Sequence, residues 1–84
     1  MEFMLVRFPE DRGVLLDGRM IGRTNETLEV EAGMHMITLD NPQDFMPESY
    51  LVSIDDTTVI SPKEIVFMLK SERPVGDVAL VTDG

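Results

Sequence analysis

The chain has no cysteine and no tryptophan, and only one histidine and one tyrosine. Without thiols there are no disulfides, no zinc–thiolate sites and no cysteine nucleophile. One histidine leaves a general base without an evident partner, and few aromatics leave little on which a sugar could stack. Cations are scarce as well: seven Lys and Arg stand against sixteen Asp and Glu, a net charge of -9. That balance repels phosphate backbones and anionic lipid headgroups, so nucleic acid and membrane surfaces are excluded as expected partners. The acidic residues are spread along the chain, which points to a solvated surface, with an interface to a basic partner as the alternative. No apolar run approaches the roughly 20 residues that cross a bilayer. Met1 to Phe8 has no basic stretch leading into an apolar one, so the chain as given reads as cytoplasmic or as a mature fragment. At 84 residues, of which 43% are hydrophobic, it has material for one core and not two.

What the sequence does contain is alternation with period two, in short segments separated by Gly, Pro, Asn and Asp. Phe3 and Leu5 alternate up to Pro9, which cannot donate to a ladder. The Asp17-Gly18 pair, flanked by apolar residues, predicts a hairpin joining Arg12–Leu16 to Arg19–Gly22, because both central residues of a type I′ turn need positive φ. Leu28 and Val30 form the next alternating pair, with Thr27, Glu29 and Glu31 toward solvent. Met34–Leu39 is the most regular strand: His35, Ile37 and Leu39 on one face, Met34, Met36 and Thr38 on the other. Apolar groups on both faces predict a central strand. Residues 40–48, with two prolines, read as a loop anchored by Phe45 and Met46. Tyr50, Val52 and Ile54 alternate again, and Ile65, Phe67 and Leu69 make the last strand; Ser61 and Pro62 imitate a helix start there, but Ile65, Val66 and Phe67 favour extended backbone. The expectation is an all-β domain over residues 1–70, a small β-sandwich of about seven short, mainly antiparallel strands. Residues 71–84 read as a flexible tail or an extra edge strand.

The run Pro9-Glu10, Val14-Leu15-Leu16-Asp17-Gly18, Ile21-Gly22-Arg23-Thr24, Leu28-Glu29-Val30 and Ala32-Gly33-Met34-His35-Met36-Ile37 resembles the PEGA domain, a small β-sandwich named for its Pro-Glu-Gly-Ala turn. The resemblance covers about residues 3–69. Asp11-Arg12 stands where the family has Gly-Ala, and Asn25 where a proline usually follows the threonine. Asp and Asn both tolerate left-handed backbone, which would let the two turns survive. A long Arg12 side chain at a small position suggests an edge from which it reaches solvent. The resemblance implies a non-catalytic accessory module of bacterial or archaeal envelope-associated or signalling proteins, with no shared catalytic or cofactor residues.

The chemistry-bearing residues mostly have structural explanations. His35, in phase with Ile37 and Leu39, reads as a structural histidine near a strand end. Asp40, Asn41, Asp44 and Glu48 are oxygen-rich but lack the spacing and glycine of a calcium loop, so no metal is expected. No serine has nucleophile-elbow context, and the glycines sit at separate turns. Methionine is abundant, at seven residues, and it adapts to irregular interfaces. Met34 and Met36, with Met20 or Met68 nearby, form an apolar patch if no second layer covers them. The expectation is therefore a protein-binding or self-associating module without cofactor, its interaction residues Met20, Met34, Met36, Met68, Phe45 and Tyr50. The alternative is a carbohydrate or cell-envelope ligand binder using Tyr50 and Phe45; a hydrolytic or metal-dependent enzyme is the third class.

Overall fold

A computed structural model describes residues 1–70 of the chain. The reading of 71–84 as a tail or an edge strand lies outside the described residues. The molecule is all-β: among the described residues there is no helix, and nine short strands form three sheets. They are β1 Glu2–Arg7, β2 Gly13–Leu16, β3 Arg19–Arg23, β4 Thr27–Val30, β5 Gly33–Leu39, β6 Phe45–Met46, β7 Tyr50–Ile54, β8 Lys63–Val66 and β9 Met68–Leu69. The smaller main sheet runs β4-β1-β8, the larger β3-β2-β5-β7, and β6 pairs with β9. All pairings are antiparallel except β1 with β8. No helix among the described residues is long and apolar enough to cross a membrane.

Each hairpin has a local cause. Asp17 and Gly18 take φ of 51° and 87°, the left-handed pair that a two-residue turn demands, and they join β2 to β3 as the sequence predicts. Asn25 also adopts positive φ, at 65°, whereas Asp11 does not. The Pro9–Arg12 turn thus needs no left-handed residue; it is held instead by Thr24, whose Oγ1 accepts from Arg12 N–H at 3.0 Å and donates to the Glu10 carbonyl at 2.7 Å. Asn25 then ties the connection between β3 and β4 to the end of β1. Its N–H donates to the Val6 carbonyl at 2.7 Å, and its side-chain amide bonds both the N–H and the carbonyl of Phe8, filling ladder positions that a strand neighbour would otherwise take.

The core lies between the two main sheets. Met4, Val6, Val30 and Ile65 face Val14, Ile37, Leu39 and Ile54, and Phe8, Phe45 and Phe67 close one end. Their rings meet edge to face, Phe45 against Phe67 at 5.6 Å and against Phe8 at 6.3 Å, with Tyr50 on Phe67 at 5.1 Å. β5 is central, with β2 and β7 as neighbours, as its two apolar faces predict. In β1 the buried residues are Met4 and Val6, while Phe3 and Leu5 are only half-buried. The strand is apolar on both faces, so its alternation carries no phase; pairing with β4 and β8 decides which side turns inward. Seven strands were expected, and the two additional ones come from short ladders: β6 lies within the proline loop, and the final strand divides at Phe67, whose N–H donates to the Arg7 carbonyl at 3.0 Å. Two-residue strands are too short to show any periodicity.

Candidate interaction surfaces

The register of the larger sheet sets its outer face. Met36 lies opposite Leu51 and Met34 opposite Ser53, while Leu15 lies between Thr38 on β5 and Met20 on β3. Met34 is 60% exposed and Leu51 66%, and Met20 and Met36 are each about half exposed. The Met20 side chain lies across Gly13, where a Cβ would come within 2.5 Å of its sulfur; glycine at that position lets the thioether lie flat on β2. Among the described residues no second layer covers this face. Met20 therefore stands apart on β3, with Leu15 of β2 and Thr38 of β5 between it and Met34 and Met36. Those two are together with Leu51, the member that the sequence did not single out. Its signal was present, since Leu51 sits opposite in phase to Tyr50, Val52 and Ile54.

Met68 is elsewhere. It lines a separate apolar groove of about 420 Å³ with Met46, Pro47, Tyr50 and Val66, where edge strands β7 and β8 part. The Tyr50 hydroxyl donates to the Val66 carbonyl at 2.7 Å, which pins the two edges at that end. Phe45 is not a surface residue at all: at 2% exposure it is a core ring. β6 turns it inward because its pairing with β9 sets Phe45 opposite Leu69 and leaves Met46 and Met68 facing out.

Two charged clusters complete the surface. His35 lies on the inner face at the end of β5, as its phase predicts, and both ring nitrogens are engaged. Nδ1 donates to Asp17 Oδ2 at 2.6 Å and Nε2 to the Glu31 carbonyl at 2.7 Å. Both partners accept only, so this geometry is that of the imidazolium. The Asp17 carboxylate, then the Glu31 carbonyl, hold the imidazole pKa above its ordinary value; His35 in turn, with the Met36 N–H, holds Asp17 below its own. Asp17 is the partner that the sequence left unidentified, brought to His35 by the hairpin turn. The ring lies in a shallow pocket of about 350 Å³ with Leu16, Arg19 and Ile21.

Arg12 does not reach solvent from an edge. It is buried, with its guanidinium over the Phe8 ring at 5.2 Å. Nη1 and Nη2 donate to the Asp44 carboxylate at 2.9 and 3.2 Å, Nη1 also to the Pro42 carbonyl at 3.0 Å, and Nη2 to Glu10 at 2.7 Å. The physical reason is the 40–44 loop, which folds back over β2 and supplies the acceptors that let a guanidinium be buried. Asp44 is held below its usual range chiefly by this hydrogen bond.

No family model, curated protein or solved structure matches the chain.

Proposed function

We propose that this chain is a non-catalytic, PEGA-like β-sandwich module that binds another protein, a second copy included, through the uncovered outer face of its larger sheet. The reading rests on one observation above the rest. Met34, Met36 and Leu51 stand side by side on β5 and β7 of that sheet with half or more of their surface exposed. Contiguous apolar surface rimmed by polar residues is what a docking face requires, and methionine fits such faces because its thioether repacks at little cost. Non-catalytic character is supported by His35, both of whose ring nitrogens are already engaged within the fold, by Asp17 and the Glu31 carbonyl. The carbohydrate alternative has less support, since burial of Phe45 leaves Tyr50 alone as a stacking surface. A cytoplasmic setting belongs to the same proposal.

The test is site-specific photo-crosslinking of the full chain in lysate of its native host. A benzophenone amino acid at Met36 is expected to give a discrete adduct that Leu51→Asp removes. The same probe at Glu29, on the outside of the smaller sheet, is expected to give none. Equal labelling from both positions, or none from Met36, overturns the reading.

A further inference from the structure

Between β7 and β8 the chain makes a loop with an apolar tip. Thr58 and Ser61 exchange backbone hydrogen bonds, Thr58 N–H to the Ser61 carbonyl at 3.2 Å and Ser61 N–H to the Thr58 carbonyl at 3.1 Å. Between them Val59 and Ile60 project at 61% and 93% exposure. Tips of this kind are ordinarily Gly, Asn, Asp or Ser, chosen for backbone freedom and solvation; two β-branched apolar side chains gain neither. The base of the loop is held in place. Thr57 N–H donates to the Glu2 carboxylate at 2.8 Å, and Phe3 N–H donates to Thr57 Oγ1 at 2.7 Å. The molecule therefore presents a fixed apolar knob.

The apolar groove lies at the other end of the same two strands. β7 leaves the groove at Tyr50 and reaches the loop after Ile54, and β8 returns from Lys63 to Val66 at the groove. Five residues at about 3.4 Å each separate knob from groove by about 17 Å, so the knob does not reach the groove of its own molecule. We propose that Val59 and Ile60 of one copy enter the groove lined by Met46, Pro47, Tyr50, Val66 and Met68 of a second copy, in a head-to-tail contact.

Charge and area set the strength of that contact. Asp55 and Asp56 precede the knob and Lys63 follows it, leaving the knob end net acidic, and Lys70 follows β9, whose Met68 lines the groove, so this orientation sets acidic residues toward a lysine. Glu48 stands near the groove as well, and each copy carries -9 overall, so approach from a distance is repulsive and salt strengthens association. Two side chains in one groove bury less than the about 1,000 Å² of a stable interface. The contact is therefore weak and depends on concentration. Being heterologous, it leaves a free knob and a free groove on every assembly and continues past the dimer.

Sedimentation equilibrium of the full chain, up to about 1 mM, tests this at low and high salt. The weight-average mass is expected to rise beyond two copies, more steeply at high salt. Ile60→Asp and Met68→Glu each remove one side of the contact from an exposed position, and each is expected to weaken association at least about tenfold. Mixed together they are expected to form a one-to-one dimer and nothing larger, because only one intact knob and one intact groove remain. If Met68→Glu loses the β7 and β8 amide dispersion of the folded chain, Met46→Glu replaces it. A wild type that stays monomeric overturns the proposal and leaves the groove to residues 71–84 or to a different protein. Association undiminished by Ile60→Asp, or a mixture no larger than its components, overturns it as well. None of these outcomes bears on the Met36 crosslink, so the two ideas fail separately.

Discussion

Arg12 and His35 carry opposite lessons about reading a residue from its neighbours in sequence. His35 is placed correctly by phase alone, because a strand of seven residues fixes which side each one faces. Arg12 is misread, since apart from Glu10 its acceptors, Asp44 and the Pro42 carbonyl, lie about thirty residues away on a loop whose path no local pattern announces. His35 also makes the fold sensitive to pH. Its folded pKa lies above the unfolded value of about 6.5, so its contribution to stability is complete below that value and is lost as pH rises through the folded one. Asp17, held low, contributes fully above its unfolded value of about 3.9 and loses that contribution as pH falls through the folded one. Thermal melts are therefore expected to show a midpoint that declines from about pH 6.5 upward, and His35→Gln is expected to flatten the decline. A wild-type midpoint unchanged across the alkaline range would show that the Asp17 and Glu31 contacts do not hold the proton.

Among the elements, the Asp17-Gly18 hairpin and the central strand were legible, and the phase of β1 was not. A turn that needs two left-handed residues has few sequence solutions, whereas a strand with Phe3, Met4, Leu5 and Val6 in succession fits either way up. The connection from β3 to β4 is the element most exposed to single changes, since Asn25 anchors it to Val6 and Phe8 with three hydrogen bonds while holding positive φ. Asn25→Gly keeps the backbone freedom and loses the side-chain bonds, an expected cost of about 1–2 kcal/mol. Asn25→Ala loses both, about 2–3 kcal/mol. Urea unfolding of the two variants measures the difference, and equal losses would mean that the left-handed backbone contributes nothing.

For the whole molecule, one end of the core is closed by aromatic rings: Phe45 of β6 and Tyr50 of β7 interlock with Phe67, between β8 and β9, and Phe8, after β1. Truncating the central ring, Phe67→Ala, is expected to cost about 3–5 kcal/mol, a large share of what an 84-residue chain possesses. The same change removes the support beneath Tyr50 and so opens the groove. A denaturation midpoint that barely moves would show that the ring cluster is not the keystone of the sandwich.

Composition and alternation were sufficient to establish an all-β molecule without thiol chemistry, the hairpin at Asp17-Gly18 and the placing of Met34 and Met36 on one face of their strand, because these follow from residue type and from a period of two. That this face is uncovered came from the structure. Only the tertiary structure decided that Met20, Met68 and Phe45 part company from Met34 and Met36, that Arg12 is buried, and that Val59 and Ile60 form a knob opposite a groove. Those outcomes depend on which distant strands pair and on how far apart their ends lie. Pairing is set by the packing of the whole core, and no segment carries that information alone.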